Sequence, residues 1–260
     1  TGSCFALAMF LEKFGKKVDV VFEEFPRLTK IIPYDYKVFD GSMKNYDLAV
    51  AVDCADLGRM GSRAELFCGS TVCIDHHKTN GSIADINYVE PESAATGELI
   101  FELISAVAPN MLDTRIAEAL YMAISADTGC FKFSNTTAHS HAVAAACLTA
   151  GIDGGEINRV LFETKSRPRF EMERIVFDTM EFHEDGAIAV AVLWRRDIDH
   201  AGADMDDLDS IASLTRQIEG VQIGITLTEK PDGTVRVSVR TTKEMDAAAI
   251  CKKVGGGGHV

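Results

Sequence analysis

Apolar residues follow two rhythms along this chain, and the rhythm changes about two-thirds of the way through. In the first part, short strand-forming runs alternate with stretches whose apolar positions recur every three to four residues, the period of a helix with one buried face. Cys4 to Phe14 reads as an amphipathic helix ended by Gly15, and Val18 to Phe22 as the strand after it. Residues 24–46 carry Pro26 and Pro33 and show no clear period, so a short helix and loop are expected there. Asp47 to Val52 and the run from Thr71 are strands of the buried type, with a polar loop and short helix around Gly58 to Phe67 between them. Asn87-Tyr88-Val89 is a further short strand. Ser93 to Ala108 has a helical period through Leu99, Ile100, Leu103, Ile104 and Val107. Asp113 caps a second helix reaching Ala126, Thr136 to Ala150 is a third closed by Gly151, and Glu156 to Thr164 is a fourth. Strands alternating with helices predict an α/β fold, a doubly wound parallel sheet.

Ser166-Arg167-Pro168-Arg169 breaks this pattern. Phe170 to Phe182 reads as a connecting helix, Ala187 to Trp194 as a strand and Met205 to Ile218 as a helix. Val221 to Thr228 and Thr234 to Arg240 are strands joined by the hairpin signal Pro231-Asp232-Gly233, and Asp246 to Val254 is a last helix. The expected organisation is an α/β domain over 1–165, a helical linker over 166–184 and a smaller α+β domain over 185–260.

Composition narrows the class. With 260 residues, 47% hydrophobic and 25% charged, the chain has the makings of two ordinary cores. Its longest apolar runs, such as Ala187 to Trp194, fall far short of the roughly 18 residues a membrane helix needs, and no secretory signal is visible. Seven cysteines without a CxxC pair read as reduced thiols, with Cys54, Cys68 and Cys73 as packing residues, which fits a cytoplasmic protein. The net charge of −13 argues against sequence-independent binding of long duplex nucleic acid, which depends on Lys and Arg meeting phosphates. A small phosphate ester or a very short oligonucleotide suits it better.

The candidate chemistry sits at segment ends. Thr71-Val72-Cys73-Ile74 runs directly into Asp75-His76-His77, Leu48 to Val52 ends on Asp53, and Asp127 follows a helical segment. Ligand sites of open α/β sheets form at the carboxyl ends of strands, and Asp and His are oxygen and nitrogen ligands for divalent metals. Three carboxylates and two imidazoles so placed suggest a dinuclear metal site. His139 and His141 read as exposed polar residues, and Ser3 and Thr96 as caps or packing hydroxyls. In Gly255-Gly256-Gly257-Gly258-His259, successive glycines let backbone N–H groups approach an anion, so Gly256, Gly257, Gly258 and His259 are candidate phosphate contacts.

Asp75-His76-His77 after a strand, preceded by Val52-Asp53-Cys54 and followed by Asp127-Thr128-Gly129, resembles the DHH phosphoesterase superfamily. The glycine run resembles the signature of its DHH-associated C-terminal domain, and order and spacing resemble the nanoRNase/pAp-phosphatase branch. The resemblance implies a metal-dependent hydrolase of phosphoric esters with two divalent cations, Mn²⁺ in the first place and Mg²⁺ or Co²⁺ as options. Two metals about 3.5–4 Å apart would activate water and neutralise the phosphoryl oxygens. Transferred residue by residue, Asp53 would bridge them, His76 and Asp127 would ligate one each, Asp75 would orient an imidazole, and His77 would meet the substrate phosphate as donor or general acid. Arg240 resembles the position at which the second domain offers a guanidinium to a substrate phosphate. Thr1-Gly2-Ser3 looks like the tail of an Asp-x-Asp-Ala-x-Gly-Ser motif whose acids would precede Thr1, and the chain is expected to be truncated at both ends.

The implied substrates are short single-stranded oligonucleotides, linear dinucleotides and 3′-phosphoadenosine 5′-phosphate, with cyclic dinucleotides as a variant. No membrane partner is implied, and homodimerisation stays open. A family II inorganic pyrophosphatase shares the first domain, but Arg240-Thr241-Thr242 and the glycine run differ from its second-domain signature. A nucleotide-binding sensor without metals is the non-enzymatic reading.

Overall fold

Helix α1 (Gly2–Glu12) is buried on nearly every face through Phe10. In a helix that is apolar all round, no polar stripe remains to face water. The expected amphipathic helix is therefore an internal one, and only its end is wet. Gly15, at φ +72°, donates its N–H to the Glu12 carbonyl, and Lys16 N–H reaches back to the Leu11 carbonyl. This left-handed closure is the one expected of Gly15.

The computed structural model describes residues 1–23, 32–42, 46–204, 207–208, 211–242, 245–253 and 256. They divide into two compact units, Thr1–Thr164 and Lys165–Val260. In the first, β1 (Val21–Phe22) pairs in parallel with β2 (Lys37–Val38), and β3 (Ala49–Val52), β4 (Thr71–Asp75) and β5 (Ile86–Val89) form a parallel three-stranded sheet in that order. A 3₁₀ segment, Leu57–Leu66, links β3 to β4. Where a short helix and loop were expected over 24–46, the described part contains the strand β2; 24–31 and 43–45 lie outside the described residues.

Helices α2 (Thr96–Val107), α3 (Thr114–Asp127), α4 (Ala138–Thr149) and α5 (Gly154–Asn158) complete this unit. Asp113 caps α3 by accepting from the Ile116 N–H, and Thr137 with Ser140 forms a reciprocal capping pair on α4. Helix α3 is the core element, with Ile116, Leu120, Met122 and Ile124 fully buried. Each such side chain contributes about 1.5–3 kcal/mol of apolar burial. Glycine lets its neighbours approach: a Cβ on Gly2 would come within 2.4 Å of the Ala119 carbonyl oxygen, and one on Gly97 within 3.0 Å of the Ala123 Cβ. The amino ends of α1 and α2 thus press on the last turns of α3. The helical pattern expected over Glu156–Thr164 splits at Asn158, where α5 widens into a π-type turn, Arg159–Glu163.

The second unit holds α6 (Arg167–Thr179) and a four-stranded sheet in the order β6 (Glu181–His183), β7 (Ile188–Leu193), β8 (Ile223–Glu229), β9 (Val235–Thr241). β7 and β8 are parallel; β6 pairs with β7 and β9 with β8 in antiparallel fashion. The β8–β9 hairpin turns at Pro231-Asp232-Gly233, with Gly233 at φ +78°. Two expectations fail here. The helix taken as a linker up to Phe182 ends at Thr179, and Glu181–His183 is an edge strand. Met172 and Val176 of α6 are also fully buried with Ala191, Leu193, Ile198 and Ile211, so the helix belongs to this unit's core. Within the stretch expected as a helix from Met205 to Ile218, the described residues form a 3₁₀ segment, Ile211–Gln217. The α-helix lies earlier, α7 (Arg195–Ala201), and Gly202 at φ +64° ends it. A final helix, α8 (Ala247–Lys253), follows β9. No helix among the described residues is long and apolar enough to cross a membrane, and all seven cysteines are free.

Candidate metal centre

Four segment ends converge. β3 stops at Val52, and Asp53 continues the ladder by donating its N–H to the Ile74 carbonyl at 2.9 Å. Asp53 also turns to φ +62°, a left-handed conformation that costs a non-glycine residue and is tolerated best by Asp and Asn. β4 ends on Asp75, whose side chain is wholly buried, and leads into His76 and His77. Asp127 is the last residue of α3, and Thr96 the first of α2. Beyond Asp127 the chain takes three successive left-handed residues, Gly129, Cys130 and Phe131. This bend brings Asn135 back so that its Nδ2 donates to the carbonyls of Asp127 and Ala94, each at 3.1 Å.

His76 Nε2 lies 3.6 Å from an Asp53 carboxylate oxygen and 3.9 Å from one of Asp127. Its other nitrogen, Nδ1, is 3.0 Å from the Ser93 carbonyl, which fixes the proton on Nδ1 and leaves the Nε2 lone pair facing the carboxylates. His77 Nδ1 sits 2.6 Å from Asp75 Oδ1, and Asp75 Oδ2 accepts from Asn80 Nδ2 at 2.7 Å. Thr96 Oγ1 donates to Asp53 Oδ1 at 2.9 Å. One ligand atom from each of Asp53, His76 and His77 lies within 4.8 Å of the other two, a group able to hold a metal ion. The donor set fits a divalent cation: oxygens and imidazole nitrogens, each already oriented by a further hydrogen bond. A cavity of about 340 Å³ opens beside Asp53, bordered by Thr1, Cys54, Arg59 and Arg63.

Charge in this cluster is unbalanced. Asp75 is buried, which would raise its pKa, but the hydrogen bonds from His77 and Asn80 outweigh burial and hold it below the usual carboxylate value. Asp127 goes the other way: burial, then the facing charge of Asp53, pushes it up to about 6, with His76 only partly countering. A carboxylate so placed favours a cation at the position it shares with Asp53 and His76.

The structure gathers Asp53, Asp75, His76, His77 and Asp127 within one unit. Arg240 lies in the other unit on β9, exposed, with its guanidinium donating to the Val239 carbonyl. Gly256 donates its N–H to the Cys251 carbonyl, so this group closes α8. Gly257, Gly258 and His259 lie outside the described residues. Thr96, read from the sequence as a cap or packing hydroxyl, is completely buried and bonded to Asp53. Asn80, Ser93 and Asn135 carry no sequence signal of this kind; an Asn in a turn reads as turn chemistry whatever it holds. His139 pairs with Glu102, away from the cluster.

Residues 1–124 match the DHH family, N-terminal domain, and residues 185–260 match the DHHA1 domain. The bifunctional oligoribonuclease and PAP phosphatase NrnA of Thermus thermophilus is 33% identical across the whole chain, which covers 77% of that protein. This chain belongs to the DHH family. The protein of the same name from Bacillus subtilis is 25% identical over 86% of the chain and 70% of its own length. The cyclic-di-AMP phosphodiesterase PdeA of Listeria monocytogenes is 26% identical over 92% of the chain but only 36% of its own length. An exopolyphosphatase-related protein from Bacteroides fragilis superposes with a TM-score of 0.89 at 23% identity, over 99% of this chain and 80% of that one, and has the same DHH fold.

Proposed function

We propose that this DHH protein is a metal-dependent phosphoesterase that releases mononucleotides from short oligonucleotides and dephosphorylates 3′-phosphoadenosine 5′-phosphate to AMP. The observation carrying this reading is the convergence of His76 Nε2 on the carboxylates of Asp53, at 3.6 Å, and Asp127, at 3.9 Å. The NrnA relatives are named for both activities, and the chain covers most of their length. Two divalent cations, Mn²⁺ first among them, would supply an activated water and neutralise phosphoryl charge. Asp53, His76 Nε2 and Asp127 would hold them.

The chain's own residues do the rest. Thr96 fixes which lone pairs Asp53 can offer, and Ser93 fixes the His76 tautomer. Asp75 keeps the His77 ring in place through Nδ1, so Nε2 is the nitrogen left to meet a phosphoryl or leaving oxygen. In the second unit, Arg240 would grip a substrate phosphate through its planar fork. Assayed with Mn²⁺ and an EDTA control against pApA, 3′-phosphoadenosine 5′-phosphate and pyrophosphate, the protein is expected to release AMP from the first two and leave pyrophosphate intact. Cleavage of pyrophosphate alone, or nucleotide binding without hydrolysis, would overturn the reading.

A further inference from the structure

The turn that carries α3 into α4 holds two phenylalanines with opposite surroundings. Phe131 is half-buried in an aromatic group: its ring stacks on His141 with centroids 5.2 Å apart and tilts against Tyr121 at 5.9 Å. Phe133 is 59% exposed, the most exposed of the described phenylalanines of the first unit. A single apolar side chain in water is ordinary on a protein surface. The setting of Phe133 is not.

Its ring is held in place by bare backbone. A Cβ on Gly129 would fall on the outer half of the Phe133 ring, so only glycine admits the ring there. The Phe133 N–H donates to the Thr128 carbonyl at 3.0 Å, and Asn135 Nδ2 donates to the Asp127 carbonyl at 3.1 Å. These bonds tie the segment on both sides of the ring to the end of α3. Gly129, Cys130 and Phe131 are left-handed in succession, a conformation that the two non-glycine residues adopt only against strain. The chain thus accepts strained backbone to fix an apolar ring in solvent. Gly129 stands two Cα steps, at most about 7.6 Å, from Asp127, so the ring borders the candidate metal centre.

We propose that Phe133 is a stacking platform for a nucleobase of the substrate. The proposal rests on the phosphoesterase reading and adds to it a contact with the part of the substrate that carries no phosphate. The metal centre meets phosphoryl oxygens, which every phosphate ester offers, and so cannot tell a nucleotide from another ester. A flat apolar ring beside it can, because a base that stacks on an aromatic side chain gains affinity that an abasic sugar phosphate does not. Every base has such a face, so the platform recognises nucleotides without selecting a sequence.

The test compares hydrolysis of 3′-phosphoadenosine 5′-phosphate with that of its abasic analogue, 1-deoxyribose 3′,5′-bisphosphate, by the full chain in Mn²⁺. In Phe133→Leu the ratio of kcat/KM for the bisphosphate over the analogue is expected to fall about tenfold, through KM, and Phe133→Tyr should restore it. A second readout needs no turnover. In a Trp194→Phe background, Phe133→Trp places the indole at the platform, and AMP should quench its fluorescence where ribose 5-phosphate does not. An unchanged ratio, an equal loss on both substrates, or equal quenching by the two monophosphates would each overturn the proposal. Failure of the wild-type protein on both bisphosphates would instead strike the phosphoesterase reading, and the quenching by AMP would still decide the stacking.

Discussion

The acidic cluster of the first unit and the basic cavity of the second solve opposite problems. In the cluster, the charged side chains are already held by the protein: Asp75 by His77 and Asn80, His76 by Ser93, Asp53 by Thr96. In the cavity, about 400 Å³ lined in part by Thr226, Arg236 and Arg240, Arg236 has no ion-pair partner among the described residues and Thr226 Oγ1 is buried unpaired. A centre that must hold reacting atoms to a fraction of an ångström gains from fixed ligands, whereas a grip on a mobile phosphate can wait for its ligand to complete it. Substitutions in the cluster should accordingly act on turnover, and substitutions in the cavity on affinity.

The largest effect that sharpens this contrast is within the adjacent pair of imidazoles. His77→Asn is expected to lower kcat about 10²- to 10⁴-fold while bound metal, measured by elemental analysis, stays at the wild-type level. His76→Gln should lose both turnover and metal. Equal metal loss in the two variants would make His77 a ligand and remove it from the acid role. Asp75→Asn comes next: an amide cannot serve His77 as the carboxylate does, and a loss of about 10- to 100-fold in kcat is expected, with little change in KM. Thr96→Val, which removes one hydrogen bond to Asp53, should cost about fivefold in kcat. A change confined to KM in any of these four variants would break the division between cluster and cavity.

How much of this was legible beforehand follows from what periodicity and spacing can carry. β3 and β4 stood out because buried parallel strands read as near-continuous apolar runs, and each ended on a residue with chemistry, Asp53 and Asp75-His76-His77. Asp127 was visible because α3 has a cap at Asp113 and a clean apolar period. Thr96 was not, since a hydroxyl at a helix start has an ordinary explanation, and only the close packing permitted by Gly97 shows that it faces Asp53 instead. Asn80 and Asn135 act across turns whose closure depends on left-handed backbone at Ser82 and at Cys130 and Phe131, conformations no pattern of side chains announces. In the second unit, Arg240 was read alone. Alternation along β9 is enough to put Arg236 on the same face as Arg240, whereas adding Thr226 needs the register to β8, and strand alternation does not reveal the partner strand. The segment after Trp194 misled for a related reason: Ile198 sits in a seven-residue helix too short to establish a period.

The smallest effect concerns stability and bears on why the cluster holds more negative charge than its own fold prefers. Asp127 is raised to about 6 by burial and by Asp53, so in the folded protein its charged form is the disfavoured one. A carboxyl whose folded pKa lies above its unfolded value costs stability above the folded pKa, and the cost disappears as the pH falls toward the unfolded value. With the side chain about one-third exposed, solvent screening reduces this to about 1–2 kcal/mol. Asp127→Asn should therefore melt about 2–8 °C above the wild type in EDTA at pH 7.5, and the gap should close toward pH 4. Adding Mn²⁺ should reverse the order, because the wild type gains the stabilisation of a bound ion and the variant loses much of it. A variant that is less stable in EDTA would mean that Asp127 is held by favourable contacts, and the cluster would then be a structural ion-pair network rather than a site kept charged for a cation.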